Sequence, residues 1–442
     1  MARYLLAASP IPGHVLPLAT VAGELRRRGH RVRLLTGARF REFAIEHGVP
    51  AAELPRAADV RPVASRAGRG LGRRLRIGRA EMSSIFLAPL PAQYAALSSE
   101  LARGHFDAVL VDSMFSGAIP LLVSDAPRPP VLVCGVGPLT LSSADCPPFG
   151  VGWQPRAGRD YTRMNRFVHH VLFRPSQARL NAILAELGMP PASVFLLDWP
   201  ILADRILQFT VPGFEYPRRD LPATVVFTGP IPASADGLEA SPDWKSVGDH
   251  RRVVHVTQGT WDNGDPDQLL RPALAALARR PDLVVVVSTG GKDASLGPLP
   301  AHIHVRDFVP YAELLPHVDL VITNGGYGGV HHALRHGIPV IVAGDTADKP
   351  EVAARVAYTG AGIDLGGAAP APAAVAAAVD RVFGDTGYRV AARRLAGEIA
   401  QHKPFDTIES VLADTTTGAR PRGRRCDPHR TRGGRHHRSA TA

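Results

Sequence analysis

Two residues of the 442-residue sequence stand where acid–base chemistry would want them. His14 lies in "SPIPGHVLPL", where an apolar run ends and a helical pattern begins. A neutral imidazole at such a point can take a proton as a general base. It then needs a partner that fixes its tautomer and stabilises the imidazolium, as a carboxylate does in serine-protease arrangements. Asp112, closing the run "FDAVLVD", offers one. The pair also fits plainer roles, His14 as a hydrogen bonder at a helix start and Asp112 as a cap.

A second constellation is built from glycine. "TNGGYGGVHHALRHGIPVIVAG" (Thr323 to Gly344) packs four glycines into five residues between an apolar run and a helical pattern. A helix start presents free N–H groups and the positive end of its dipole to an anion, and glycine lets the backbone come close. Gly328 and Gly329 sit nearest the helix start and are the best phosphate contacts, although a strand–helix turn that binds nothing would read the same. "TQGT" (Thr257 to Thr260) follows another apolar run, and Gly259 with the Thr260 hydroxyl could reach a second face of that anion. Two such loops suit a diphosphate. Neither stretch has the G-x-G-x-x-G or G-x-x-x-x-G-K-[ST] spacing, which disfavours a dinucleotide dehydrogenase and a P-loop enzyme.

The remaining polar clusters carry less. His332 and His336 in "HALRH" are one helical turn apart, but the base Glu of H-E-x-x-H and a third ligand are missing, so no metal site is expected. No G-x-S-x-G elbow appears. Asp345 and Asp348 in "GDTADKPEVAARV" precede a helical pattern, either as caps or as acceptors for sugar hydroxyls beside the glycine turn.

These residues need a scaffold that brings them to one edge. Apolar runs alternate with helical patterns in two series. "RYLLAAS", "RVRLLTG", "FDAVLVDS", "PVLVCGV", "ILQFTV" and "VVFTG" form the first; "RVVHVTQGT", "DLVVVVST", "HIHVRDFV", "DLVITNGG", "PVIVAG" and "GIDL" form the second. Continuous Val/Ile/Leu runs are buried on both faces, as parallel strands are. The alternation predicts two doubly wound, Rossmann-like α/β domains, whose ligands sit beyond the carboxyl ends of the strands. "GPIPASADGLEASPDW" reads as a linker. The domains expected are 1–235 and 236–414, with "YRVAARRLAGEIAQHKPFDTIESVLAD" as a last helical region packing back on the first domain.

Composition agrees with a globular chain: 45% hydrophobic and 21% charged residues, and no apolar run near the ~20 residues of a membrane span. Pro10, Pro12 and His14 cut short the opening apolar run, which reads as a buried strand rather than a signal peptide. Cys134, Cys146 and Cys426 form neither a ligand spacing nor an even disulfide set, so a reducing, cytoplasmic location is expected. Most of the net charge of +11 sits in a tail, residues 415–442, where eight Arg face one Asp. With almost no apolar side chains that tail should be disordered, and nucleic acid is disfavoured as a partner. The basic run Arg66 to Met82 reads as a mobile loop leading into a helix.

Taken in order, "PGHVLPL", "VTQGT", "FVPYAELLPHVDLVITNGGYGGVHHAL", "HGIPVIVAG" and "ADKPEVAARV" resemble the nucleotide-sugar-dependent glycosyltransferases of the GT-B fold, the group holding UDP-glycosyltransferases and macrolide or antibiotic glycosyltransferases. The resemblance spans roughly residues 1 to 413. It implies two domains facing across a cleft. It also implies inverting, metal-independent transfer to a hydroxyl of a lipophilic small molecule, with a UDP- or dTDP-sugar as co-substrate and no cofactor. His14 would be the base and Asp112 its support. Gly259, Thr260, Gly325, Gly326, Gly328 and Gly329 would hold the diphosphate. Phe308 and Val309 of "FVPY" would meet the nucleotide base, and Asp348 with Lys349 the sugar.

The sequence departs from that pattern on the donor side. Asn324 replaces the His of the family's H-x-G motif, Gly329 its Ser/Thr, His332 a Glu that often holds ribose hydroxyls, and Tyr311 and Lys349 two Gln. An active enzyme with a shifted donor mode is expected. A non-catalytic auxiliary protein of the same fold, a basic-tail nucleic-acid binder and a lipid-linked cell-wall transferase remain the alternatives. A homodimer is allowed by the sequence without being specified by it.

Overall fold

The computed structural model describes residues 1–60, 71–232, 251–261, 263–291 and 295–417. The basic run up to residue 70, most of the expected linker including the 235/236 boundary, and the tail from 418 lie outside the described residues.

Parallel strands dominate because their runs have no polar face to offer water. Every residue of β4 (Ala108–Asp112), β5 (Val131–Gly135) and β9 (Leu283–Ser288) is buried. The first sheet adds β1 (Arg3–Ala7), β2 (Arg31–Thr36), β3 (Ala51–Glu53), β6 (Arg205–Gln208) and β7 (Val225–Phe227), in the order β3-β2-β1-β4-β5-β6-β7. The second contains β8 (Arg252–Thr257), β10 (Ile303–Arg306), β11 (Leu320–Thr323), β12 (Val340–Val342) and β13 (Gly362–Asp364), in the order β10-β9-β8-β11-β12-β13. All pairings are parallel. Each sheet is the doubly wound arrangement expected, with its chain direction switching between β1 and β4 and between β8 and β11, and ligands of such sheets lie outside those switches. Strand β3 escaped the sequence reading because "AAE" has none of the Val, Ile or Leu that mark the other runs.

Helix α1 (Pro12–Arg27) starts on a proline, whose missing N–H costs nothing there, and buries Val15, Leu18, Ala19, Ala22 and Leu25 along one stripe. The second sheet carries α2 (Tyr327–Arg335) and α3 (Lys349–Tyr358) on the crossovers after β11 and β12. The expected closing helical region is two helices, α4 (Thr386–Gln401) and α5 (Pro404–Thr416). Pro404 has no amide N–H to continue α4 and begins a new helix instead. Helix α4 adds Leu395 and Ile399 to the core of the second sheet. Helix α5 crosses to the first, where Ile408 and Leu412 are buried with Leu18, Leu25 and Leu34. Burial of two such side chains stabilises by roughly 3–6 kcal/mol. Arg28, the C-cap residue of α1, forks onto Asp406 (2.6 Å) and Glu409 (2.7 Å), but exposed pairs of this kind add little.

The two sheets are joined by polar contacts buried between them. Gln208 Nε2, at the end of β6, donates to the Tyr327 hydroxyl at 3.1 Å. His331 donates Nδ1–H to the Tyr327 carbonyl at 2.9 Å, and its Nε2 accepts from the Thr210 hydroxyl at 2.6 Å. Burial holds that imidazole neutral, with its pKa down to about 4. Arg355 of α3, almost fully buried, lies between Glu215 (2.8 Å) and Glu351 (3.0 Å), over the ring of Tyr216. Arg355→Ala would strand two buried carboxylates. We expect a loss of about 3–5 kcal/mol, read as a lower urea midpoint; a midpoint equal to wild type would show that the cluster does not hold the sheets together.

Candidate functional site

The carboxyl ends of β1 and β4 bring His14 and Asp112 together across the first switch. His14 Nδ1 donates to Asp112 Oδ1 at 2.6 Å. The carboxylate is fully buried and is held by two further donors, the amides of Ser9 (2.5 Å, to Oδ2) and Met114 (2.7 Å, to Oδ1). A neutral ring that gives its Nδ1 proton to Asp112 keeps its lone pair on Nε2. Only 19% of the His14 side chain is exposed. Burial by itself would lower the pKa of this imidazole. The charge and hydrogen bond of Asp112, and the charge of Asp348 from the second domain, outweigh it and raise the pKa above 6.5.

The charge of Asp348 thus reaches His14 from the second domain. Its own pKa is raised by burial, with Lys349 and His14 opposing. It is the N-cap residue of α3, preceded by Ala347 in the left-handed region (φ 51°), a conformation that costs energy away from glycine. Lys349 is buried; its stem lies against Gly344, where a Cβ would meet Lys349 Cδ at 2.8 Å, and its Nζ donates to the Thr346 hydroxyl at 2.7 Å.

The second switch holds the glycine loops. Gly325 (φ 93°) makes the turn after β11 and leaves no room for a side chain, since a Cβ would meet Val342 Cγ1 at 2.6 Å. Gly326 is the N-cap residue of α2 and Tyr327 its first residue, so the amides of Tyr327, Gly328 and Gly329 have no intrahelical acceptor. A Cβ at Gly328 or Gly329 would meet nothing within 4 Å, so the space before the helix is open. Gly259 (φ 75°) and the exposed Thr260 follow β8 beside Asn324. Asn324 Nδ2 donates to the Gln258 carbonyl, which ties the two loops to each other.

The base-side residues are split. Phe308 is 53% exposed, with its ring edge over Gly291 on the loop after β9, while Val309 is buried. Tyr311 turns inward: its hydroxyl hydrogen-bonds Thr257 and its ring meets His255 and His332 edge-on at 5.6 Å each. His332 is thus packed beside Tyr311, and burial lowers its pKa to about 4. Sequence reasoning did not single out Glu215, Glu351, Arg355 or Tyr327. The i,i+4 spacing of Glu351 and Arg355 was a visible signal for one of these contacts; Glu215 had none. Arg39 was missed too. It donates to the Pro10 carbonyl and lies over the Trp261 ring of the second domain at 5.3 Å.

Known proteins share this architecture. A family model described as "Erythromycin biosynthesis protein CIII-like, C-terminal domain" matches residues 272–413. The "4'-demethylrebeccamycin synthase" of Lentzea aerocolonigenes is 37% identical over 93% of this chain and all of its own length. The chain belongs to the GT-B nucleotide-sugar glycosyltransferases of the UDP-glycosyltransferase and macrolide glycosyltransferase family. The "UDP-glycosyltransferase 2" of Phaeomoniella chlamydospora is 32% identical over 92% of this chain and 94% of its own. The solved glycosyltransferase of kitacinnamycin superposes with a TM-score of 0.71 over 94% of this chain and 99% of its own, at 20% identity, and shares the GT-B fold. As a natural-product type of glycosyltransferase using nucleotide sugars, the chain has its two glycine loops and its His–Asp pair on facing sheet edges.

A neutral imidazole is needed to accept a proton, so transfer should fall as pH drops through the His14 pKa, above 6.5. Asp112→Asn removes the charge that raises that pKa. The acidic limb of kcat/KM should move to lower pH while the maximum falls by on the order of 10²–10⁴. A limb that stays in place would remove Asp112 as the cause of the shift.

Proposed function

We propose that the chain is an inverting glycosyltransferase that moves a sugar from a UDP- or dTDP-sugar to a hydroxyl of a lipophilic small molecule. The observation that carries this reading is the His14–Asp112 pair of the first domain (2.6 Å), with Asp348 of the second domain near enough for its charge to favour the imidazolium. It brings a base supported by a buried carboxylate opposite the turn that begins α3, one crossover from the open helix start at Gly328 and Gly329.

In the proposed step, His14 Nε2 takes the acceptor proton as the acceptor oxygen forms its bond to the anomeric carbon. The bond from that carbon to the diphosphate oxygen breaks, and its electron pair leaves with the nucleoside diphosphate. Asp112 stabilises the imidazolium. The diphosphate gains charge as it departs, where the amides of Tyr327, Gly328 and Gly329 and the α2 dipole are preorganised to receive it. Gly259 and Thr260 flank the same group from β8. Phe308 offers an exposed ring face for the pyrimidine. Asp348 accepts from the sugar hydroxyls, with Lys349 beside it. The acceptor enters on the first-domain side, where residues such as Leu139, Leu141 and Ile206 line a small cavity with Ser113. No further cofactor or metal is invoked.

His14→Ala should lower turnover by on the order of 10²–10⁴, with donor affinity by calorimetry changed less than about twofold. A panel of UDP- and dTDP-sugars scored by thermal shift identifies the donor, and product NMR reads the anomeric outcome. An unchanged rate in His14→Ala would remove the base role; retention at the anomeric carbon would remove the single displacement.

A further inference from the structure

The cluster around Arg355 has a charge imbalance that the first domain corrects. Two carboxylates, Glu215 and Glu351, share one guanidinium in a site closed to water. Each gives one oxygen to Arg355: Glu215 Oε2 accepts from Nε at 2.8 Å, and Glu351 Oε2 from Nη1 at 3.0 Å. The other oxygen of each takes backbone amides from loops of the first domain. Gly150 and Gly152 both donate to Glu351 Oε1 at 2.8 Å, and Leu139 donates to Glu215 Oε1 at 3.0 Å. A buried surplus negative charge is thus met by N–H dipoles of two loops, and removing the carboxyl oxygens would leave those amides without an acceptor.

The same loops lie against the start of α3. Gly152 (φ 65°) passes so close to Pro350 that a Cβ would meet Pro350 Cβ at 2.9 Å. A Cβ on Gly137 would stand 3.3 Å from Asp348 Oδ2. Gly137 and Leu139 line the small cavity beyond β5 and β6. One helical turn therefore carries Asp348 toward His14 and, three residues later, Glu351 toward the loop of residues 146–153.

We propose that Glu351 is a positioning residue that hangs the acceptor-side loop 146–153 on the turn bearing Asp348, so that this wall of the acceptor site takes shape only against the docked second domain. The inference rests on the function proposed above, in which Asp348 meets the sugar and the first domain holds the acceptor. It makes Glu351 a determinant of acceptor fit, although it belongs to the donor-side helix.

Glu351→Ala and Glu351→Gln are compared with wild type in the full chain, using UDP-glucose and dTDP-glucose as donors and 4-methylumbelliferone as an aryl hydroxyl probe. In Glu351→Ala the acceptor KM should rise at least ~10-fold while the donor KM moves less than about twofold, and hydrogen exchange of the 149–154 amides should speed up at least ~10-fold. Glu351→Gln keeps an oxygen for the glycine amides and should recover most of both losses. An unchanged acceptor KM, or donor and acceptor KM rising together, overturns the inference. If Glu351→Ala does not fold, Glu351→Gln with wild-type acceptor KM and exchange supports it, and loss of both with an intact urea midpoint overturns it. Should wild type transfer no sugar to the probe, the proposed function fails for that probe, while exchange at 149–154 still decides the clamp: equal exchange in wild type and Glu351→Ala overturns it.

Discussion

A parallel sheet sends every strand's carboxyl end to the same edge, and this chain puts two such edges face to face. Everything chemical follows from that constraint. β1 and β4 are neighbours, so the loops that leave them must separate to opposite faces, and the gap receives His14 and Asp112. β8 and β11 repeat the geometry with glycine loops. The facing orientation is maintained by contacts that neither sheet could satisfy on its own, from Gln208 with Tyr327 to Glu215 with Arg355. Each buries a polar group that is partnered from the other domain, so separation would expose charges and donors that water must then solvate.

Electrostatics across the gap is unbalanced on purpose of chemistry rather than stability. Asp112 and Asp348 both act on one imidazole, and both favour its protonated form. A resting ring with a raised pKa accepts a proton more readily, at the cost of being less often neutral at acidic pH. On the opposite side the charges that the glycosyltransferase pattern would supply are reduced: Asn324 is spent on the Gln258 carbonyl, and His332 is neutral beside Tyr311. What remains for an anion at that edge is mostly backbone, the free amides of α2 and the open space in front of Gly328.

Much of this was legible in the sequence. Unbroken Val/Leu/Ile runs announced buried parallel strands, and the loops after them marked where His14, Asp112, Thr260 and the glycine turn would gather. Positive φ at Gly259 and Gly325 is the physical reason glycine stands at those points. What the sequence left hidden depends on tertiary partners. The environment of Tyr311 is set by Thr257, His255 and His332, from three different stretches of chain. Glu215 looks like an ordinary surface acid until α3 covers it. The break at Pro404 was written in the sequence, but apolar spacing on both sides of it hid the change of direction.

The chain passes between the domains twice, once after β7 and again between α4 and α5. The two passages touch: Gly229, with φ 83°, lies so near His402 that a Cβ would meet its Cβ at 2.6 Å, and Arg335 donates to the Pro230 carbonyl at 2.7 Å. Paired in this way, they tie the halves together where α2 ends rather than where it begins.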